Sequence, residues 1–172
     1  METTFINKVA ESGIITVNLE EFFPTQDVVV FDMKDYLFMG LILKEKEFRE
    51  ALKTLDLQQF SGKTIALTCS ADAIIPMWAY MLAASALQPV SDNIYFGSKE
   101  EVTNKILISN IERLEAADYV EKRIVIKGCG ELPISEEAYM EITKKLRPVA
   151  KSIMYGEPCS TVPVYKKSAV KI

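Results

Sequence analysis

Histidine is absent from the 172 residues. Its absence removes the Ser-His-Asp and Cys-His relays, the commonest metal ligand, and the side chain that titrates nearest neutral pH. Glycine and proline are scarce at seven each, and neither G-x-G-x-x-G nor a P-loop follows any strand-like run. Nucleotide binding therefore has no support. Long apolar runs are missing too: the longest, residues 73–87, contains Pro76 and Ser85 and falls short of the ~20 residues a bilayer helix needs. A secretory leader is not expected, because Glu2 stands where a basic region would and no apolar run follows it. Positive charge is not in excess. Twenty Lys and Arg face 24 Asp and Glu, a net charge of −4, so a general nucleic-acid footprint is lacking. Cysteines number three, an odd count with no C-x-x-C pair, which argues for reduced thiols rather than a disulfide framework. The expectation is a cytoplasmic protein with no membrane and no nucleic acid among its partners.

What is present describes an ordinary globular chain. Apolar residues make up 49% and charged residues 26%, and a chain of this size buries roughly 70% of its unfolded surface without a disulfide or metal. The length suits a single α/β domain over residues 1–172. No repeat, low-complexity tract or linker is evident. A positive mean hydropathy of +0.10 is compatible with a homodimer.

The pattern along the chain alternates between strand and helix. A short helix is expected over residues 4–11, then a strand over 14–19, where Ile15, Val17 and Leu19 alternate with Thr16 and Asn18. Residues 28–31 and 37–43 are apolar runs without alternation, which suit strands covered on both faces. Phe48, Ala51, Leu52 and Leu55 make a helical stripe over 44–55. Residues 63–69 then read as a buried strand. Pro76 opens a helix to Leu87, and residues 94–96 form a short strand. Ser98 with Glu101 is a capping-box signature for a helix whose Leu107, Ile111 and Leu114 share a face. Residues 123–127 are another buried strand, and Ser135 opens a last helix with the stripe Tyr139, Ile142, Leu146, Val149 and Ile153, kinked at Pro148. The tail from Gly156 reads as an ordered loop and an edge strand. The fold class is α/β, with a mainly parallel or mixed sheet, helices on both faces, and either an extension or an antiparallel flank at the N-terminus.

In such sheets, ligands bind beyond the carboxyl ends of the strands. Cys69 ends one expected strand, and Cys129 ends another between Gly128 and Gly130. If both strands are parallel members of one sheet, the two thiols face one rim, and a helix start near Pro76 favours the Cys69 thiolate. The competing reading is that both are small core fillers. Cys159, between Pro158 and Pro163, should be exposed, yet a helix returning from the rim carries it to the opposite edge. A kink at Pro148, an antiparallel arrangement or a second subunit would bring it back. Cys69, Cys129 and Cys159 with Asp72 would complete a tetrahedral site for zinc, or the thiolates would hold an iron–sulfur cluster. The same thiols would suit sulfur transfer. Asp32 and Asp35 are a carboxylate pair or solvated turn residues. Met77, Trp78, Tyr80 and Met81 line a pocket or fill the core. Lys166, Lys167 and Lys171 form a short basic tail, a solvated end or a nucleic-acid arm.

The stretches FDMKDYLFMGLILKEKEFR (31–49), LTCSADAIIPMWAYML (67–82), IKGCGELPISEEAY (126–139) and KSIMYGEPCSTVPVYKK (151–167) resemble a bacterial family catalogued as domain of unknown function 2480. That resemblance brings no established activity. It implies an accessory role beside sulfur-mobilising iron–sulfur cluster assembly, with the assembly proteins as partners, and the family's cysteine-bearing motifs fall on Cys69, Cys129 and Cys159. Two classes of function follow: thiol-dependent metal or sulfur handling, or a non-catalytic binding module whose cysteines are structural and whose C-terminal loop docks a partner. Acid–base catalysis ranks below both, because no group offers a near-neutral pKa without perturbation.

Overall fold

The computed structural model describes residues 13–128, 130–157 and 159–168; the expected helix over 4–11, Cys129 and Lys171 lie outside them. In chain order the elements are β1 (Ile14–Asn18), β2 (Val28–Asp32), β3 (Leu37–Phe38), β4 (Ile42–Leu43), α1 (Glu45–Thr54), β5 (Thr64–Thr68) and α2 (Met77–Leu87). They continue with β6 (Ile94–Phe96), α3 (Lys99–Glu112), β7 (Arg123–Lys127), α4 (Glu136–Leu146), β8 (Ser152–Glu157) and β9 (Ser160–Lys166). The class is mixed α/β, with the strands distributed over three sheets.

The chain divides into two compact units. The inner unit is Pro24–Thr103, and the outer unit is Met1–Phe23 with Asn104–Ile172. In the inner unit, β2, β5 and β6 form a parallel sheet in that order, and β3 and β4 form a small antiparallel pair. Its core gathers Phe31, Ile65 and Leu67 from the sheet with Phe48 of α1 and Ala79 and Leu87 of α2. In the outer unit the order is β1-β7-β8-β9, with the first three parallel and β9 antiparallel to β8. Val17, Ile124 and Ile153 pack there against Ile111 of α3 and Ile142 and Leu146 of α4. Burying each of these aliphatic side chains contributes about 2 kcal/mol.

Three expectations need correction. The run 37–43 is not one buried strand but a tight hairpin, because Met39 and Gly40 both adopt positive φ (53° and 72°) and Ile42 is left exposed. Only glycine takes that conformation without steric cost, so Gly40 locates the turn. The last helix is not kinked at Pro148; it stops at Leu146, since proline supplies no N–H for the next turn. Ile153 is buried from strand β8 instead. Of the two arrangements open to the N-terminal strands, β1 and β2 extend the sheets as parallel members, while antiparallel pairing occurs between β3 and β4 and between β8 and β9.

The third correction concerns repetition. Residues 55–97 align with 114–156 without a gap at an offset of 59, pairing Ala79-Tyr80-Met81 with Ala138-Tyr139-Met140 and Leu87-Gln88-Pro89-Val90 with Leu146-Arg147-Pro148-Val149. The backbone repeats with the sequence. Gly62 N–H donates to Val90 C=O at 3.0 Å, as Glu121 N–H does to Val149 C=O at 2.9 Å. Gln88 N–H donates to Ala84 C=O, as Arg147 N–H does to Thr143 C=O. Ile65 is in register with Ile94, as Ile124 is with Ile153. The first strands repeat as well, at an offset of 14: the side chains of Asn18 and Asp32 each cap the 3-10 turn that follows, and Leu19 and Met33 are fully buried behind them.

Candidate functional site

At the carboxyl ends of β2 and β5 the inner unit gathers its polar groups. Asp32 Oδ1 accepts hydrogen bonds from the N–H groups of Lys34 and Ser70, both at 3.0 Å, and Lys34 Nζ stands 3.4 Å from Oδ2. Burial pushes the Asp32 carboxyl up, but the hydrogen bonds from Ser70 and Lys34 outweigh it and hold the group below the usual carboxylate range. Asp32 is therefore a tie between two strand ends, in the ionised form, and not a base awaiting a proton. Its neighbour Cys69 is half-buried against the core, with Sγ donating to the Ala71 carbonyl at 3.7 Å. Asp72 is exposed on the same loop. Burial raises the Tyr80 hydroxyl pKa, and the charge of an ionised Cys69 adds to the effect.

Cys159 is exposed, in the two-residue connection from Glu157 of β8 to Ser160 of β9. It reaches the carboxyl end of the outer sheet because residues 152–157, where the sequence pattern predicts the end of a helix and a loop, form β8 and run parallel to β7. Lys127 at the end of β7 stands 3.6 Å from Glu157 at the end of β8. Cys69 and Asp72 thus belong to the inner unit and Cys159 to the outer, while Cys129 lies outside the described residues. Among the described residues no group of three or more Cys, Asp or Glu stands close enough to hold a metal ion. No helix among them is long and apolar enough to cross a membrane.

The repeat builds a second kind of site twice over. In the inner unit, Leu67, Tyr80, Met81, Tyr95 and Phe96 line an open apolar groove of about 640 Å³. In the outer unit, Ile126, Tyr139, Met140, Met154 and Tyr155, which are those same positions 59 residues on, line one of about 450 Å³. An aromatic pair occupies the same two positions in both grooves. Tyr80 and Phe96 meet edge to face at 5.5 Å and 81°, and Tyr139 and Tyr155 at 5.6 Å and 73°. Met77, Tyr80 and Met81 are thus groove-lining, whereas Trp78 packs half-buried on the core. Phe96, Met140 and Tyr155 are site residues that the sequence motifs do not single out. The shared Ala-Tyr-Met tripeptide, compared against the chain itself, is the signal that finds them.

No curated protein and no solved structure matches the chain. The model of a family described as protein of unknown function, DUF2480, matches residues 3–167 of the 172, nearly the whole length, and the chain belongs to that family.

Proposed function

We propose that the protein is a non-catalytic binding module that holds a partner through its two equivalent grooves. The observation that carries this reading is the retention of one groove, lining and ring geometry included, in two halves whose cores have otherwise diverged. Packing does not account for the methionines: Met81 is 72% and Met140 66% exposed, at equivalent positions. Flexible thioethers beside aromatic rings adapt to varied apolar surfaces, which suits recognition of another chain. The test is titration with the apolar dye anilinonaphthalene sulfonate under native conditions. Two sites per chain are expected, one lost in Met81→Glu and the other in Met140→Glu. Absent dye binding, or binding that neither variant alters, overturns the reading.

A second reading, thiolate handling of zinc, an iron–sulfur cluster or sulfur by Cys69, Cys129 and Cys159 with Asp72, is supported by two free thiols beside strand ends, one of them exposed. Elemental analysis and an optical spectrum of anaerobically purified protein test it. Stoichiometric metal that is lost in Cys69→Ser would favour it over the binding module.

A further inference from the structure

The two grooves are alike in their walls and different at one edge. In the outer unit, β8 is an internal strand because β9 pairs along it, and Val164 of β9 contributes to the groove wall. In the inner unit, β6 occupies the place of β8 and, among the described residues, is the last strand of its sheet. The exposure follows this difference. Ile153 of β8 is fully buried, whereas its equivalent Ile94 is half-buried; Tyr155 is 41% exposed and its equivalent Phe96 65%. Since register, helix and ring pair are shared, the strand that borders the outer groove at this edge indicates the shape of what would pair at the inner one.

We propose that the inner groove receives an extended segment of a partner protein, added antiparallel to β6 as β9 is added to β8. This rests on the reading of the grooves as binding surfaces and names their occupant. The segment carries a β-branched apolar side chain at the place of Val164, the extra residue of β9 at the register shift between Ile153 and Met154, whose side chain contributes to the groove wall. Its C-terminal end carries a cation. In the outer unit that end is Lys166, opposite Ser152, with the Lys167 N–H donating to the Lys151 carbonyl at 2.9 Å. The inner equivalent of Lys151 is Asp92, exposed and accepting from Gln88 Nε2 at 3.2 Å, so a basic end meets a carboxylate there in place of a like charge. Another copy's β9 is not the occupant, since β9 is already paired with its own β8 from Ser160 to Lys166.

The experiment adds a synthetic peptide with the sequence of residues 160–167 to the full-length chain, read by fluorescence anisotropy and by amide shifts in NMR. Saturable binding is expected, with the largest shifts at Ile94 and Phe96. Phe96→Asp should weaken it about ten-fold, an effect typical of an anchor residue. Asp92→Lys should weaken it about three-fold, with less effect at high salt. A peptide with Asp at the Val164 position should bind at least as poorly as Phe96→Asp allows. Phe96 is exposed, so its variant is expected to keep the native circular dichroism spectrum; Met81→Asp, at another exposed position in the same wall, serves as the second test. Absence of binding at millimolar peptide overturns the proposal, as do shifts confined to the outer unit. A dimer by light scattering in which Ile94 and Phe96 amides are protected from exchange also overturns it, by assigning the edge to a second copy. If the dye binds and the peptide does not, strand addition fails while the binding module survives; if neither binds, both fail.

Discussion

The inner and outer units use one backbone plan with different fillings. In the inner unit the middle is aromatic: Phe31 stacks on Tyr36 at 5.3 Å, Tyr36 meets Phe48 edge-on at 5.2 Å, and Phe60 lies against Phe31. In the outer unit Val17 stands at the place of Phe31, Phe22 at that of Tyr36 and Tyr119 at that of Phe60, and the buried core is built of Ile, Leu, Val and Ala. Yet the turns before the central strands and after the helices keep the same hydrogen bonds. The shared plan depends on a few positions: a leucine closing the helix, a Pro-Val turn, and a glycine of positive φ, Gly97 (138°) just after β6 and Gly156 (117°) near the end of β8. A core tolerates exchange of aromatic for aliphatic residues if volume and pattern are maintained. Backbone hydrogen bonds admit no such exchange, because an unpaired buried N–H is costly.

The strongest way to break this comparison is to truncate the same leucine in each unit. Leu87 and Leu146 are both fully buried at equivalent places, so Leu87→Ala and Leu146→Ala should each cost about 3 kcal/mol in urea unfolding monitored by circular dichroism. A large loss from one and none from the other would mean that the units are alike in outline only.

A smaller effect is expected at the caps of the 3-10 turns. Asp32→Ala should cost about 1.5 kcal/mol, more than Asn18→Ala, because Asp32 ties Ser70 as well as Lys34 and does so as an anion. Asp32→Asn would copy the outer unit's cap and sharpens the point through pH. A carboxyl held below its unfolded value stabilises the fold fully above that value, and the contribution disappears as pH falls through the folded one. Native protein should therefore lose stability below roughly pH 4, and Asp32→Asn should lose less over the same range. Urea midpoints at pH 7 and pH 3 decide it.

Helix starts come next. Ser98 and Glu101 form a reciprocal capping box, with Glu101 N–H donating to Ser98 Oγ at 3.2 Å and Ser98 N–H to Glu101 Oε2 at 2.7 Å. Ser135 Oγ accepts from Ala138 N–H at 3.2 Å. Ser98→Ala and Ser135→Ala should each cost about 1 kcal/mol, measured as above. The smallest change in stability, under about 0.5 kcal/mol, belongs to Met81→Ala and Met140→Ala, since exposed side chains contribute little to folding. Their dye binding should nevertheless fall, one site for each.

Much of this was legible in the residues themselves. The strand Arg123–Lys127, the capping box at Ser98 and the cap at Ser135 appear where local chemistry places them, because a buried apolar run and a side-chain oxygen before a helix act over a few residues. The repeat is also written in the sequence, yet none is evident in a reading along the chain, because an offset of 59 emerges only when the chain is laid against itself and most of the paired residues differ. Reading 37–43 as one strand failed because positive φ at Met39 and Gly40 makes a hairpin, and hydrophobicity does not report φ. The cysteines show where local reading stops. Each strand end was found, but whether Cys69 shares a sheet with the strand before Cys129 depends on pairing across more than fifty residues. That pairing puts β5 with β2 and β6, and β7 with β1 and β8. The exposure of the grooves was likewise a tertiary decision: the Tyr-Met pairs are written in both repeats, while the covering of one edge strand and not the other follows from where β9 turns back to pair, a long-range hydrogen-bonding choice that no short window of sequence contains.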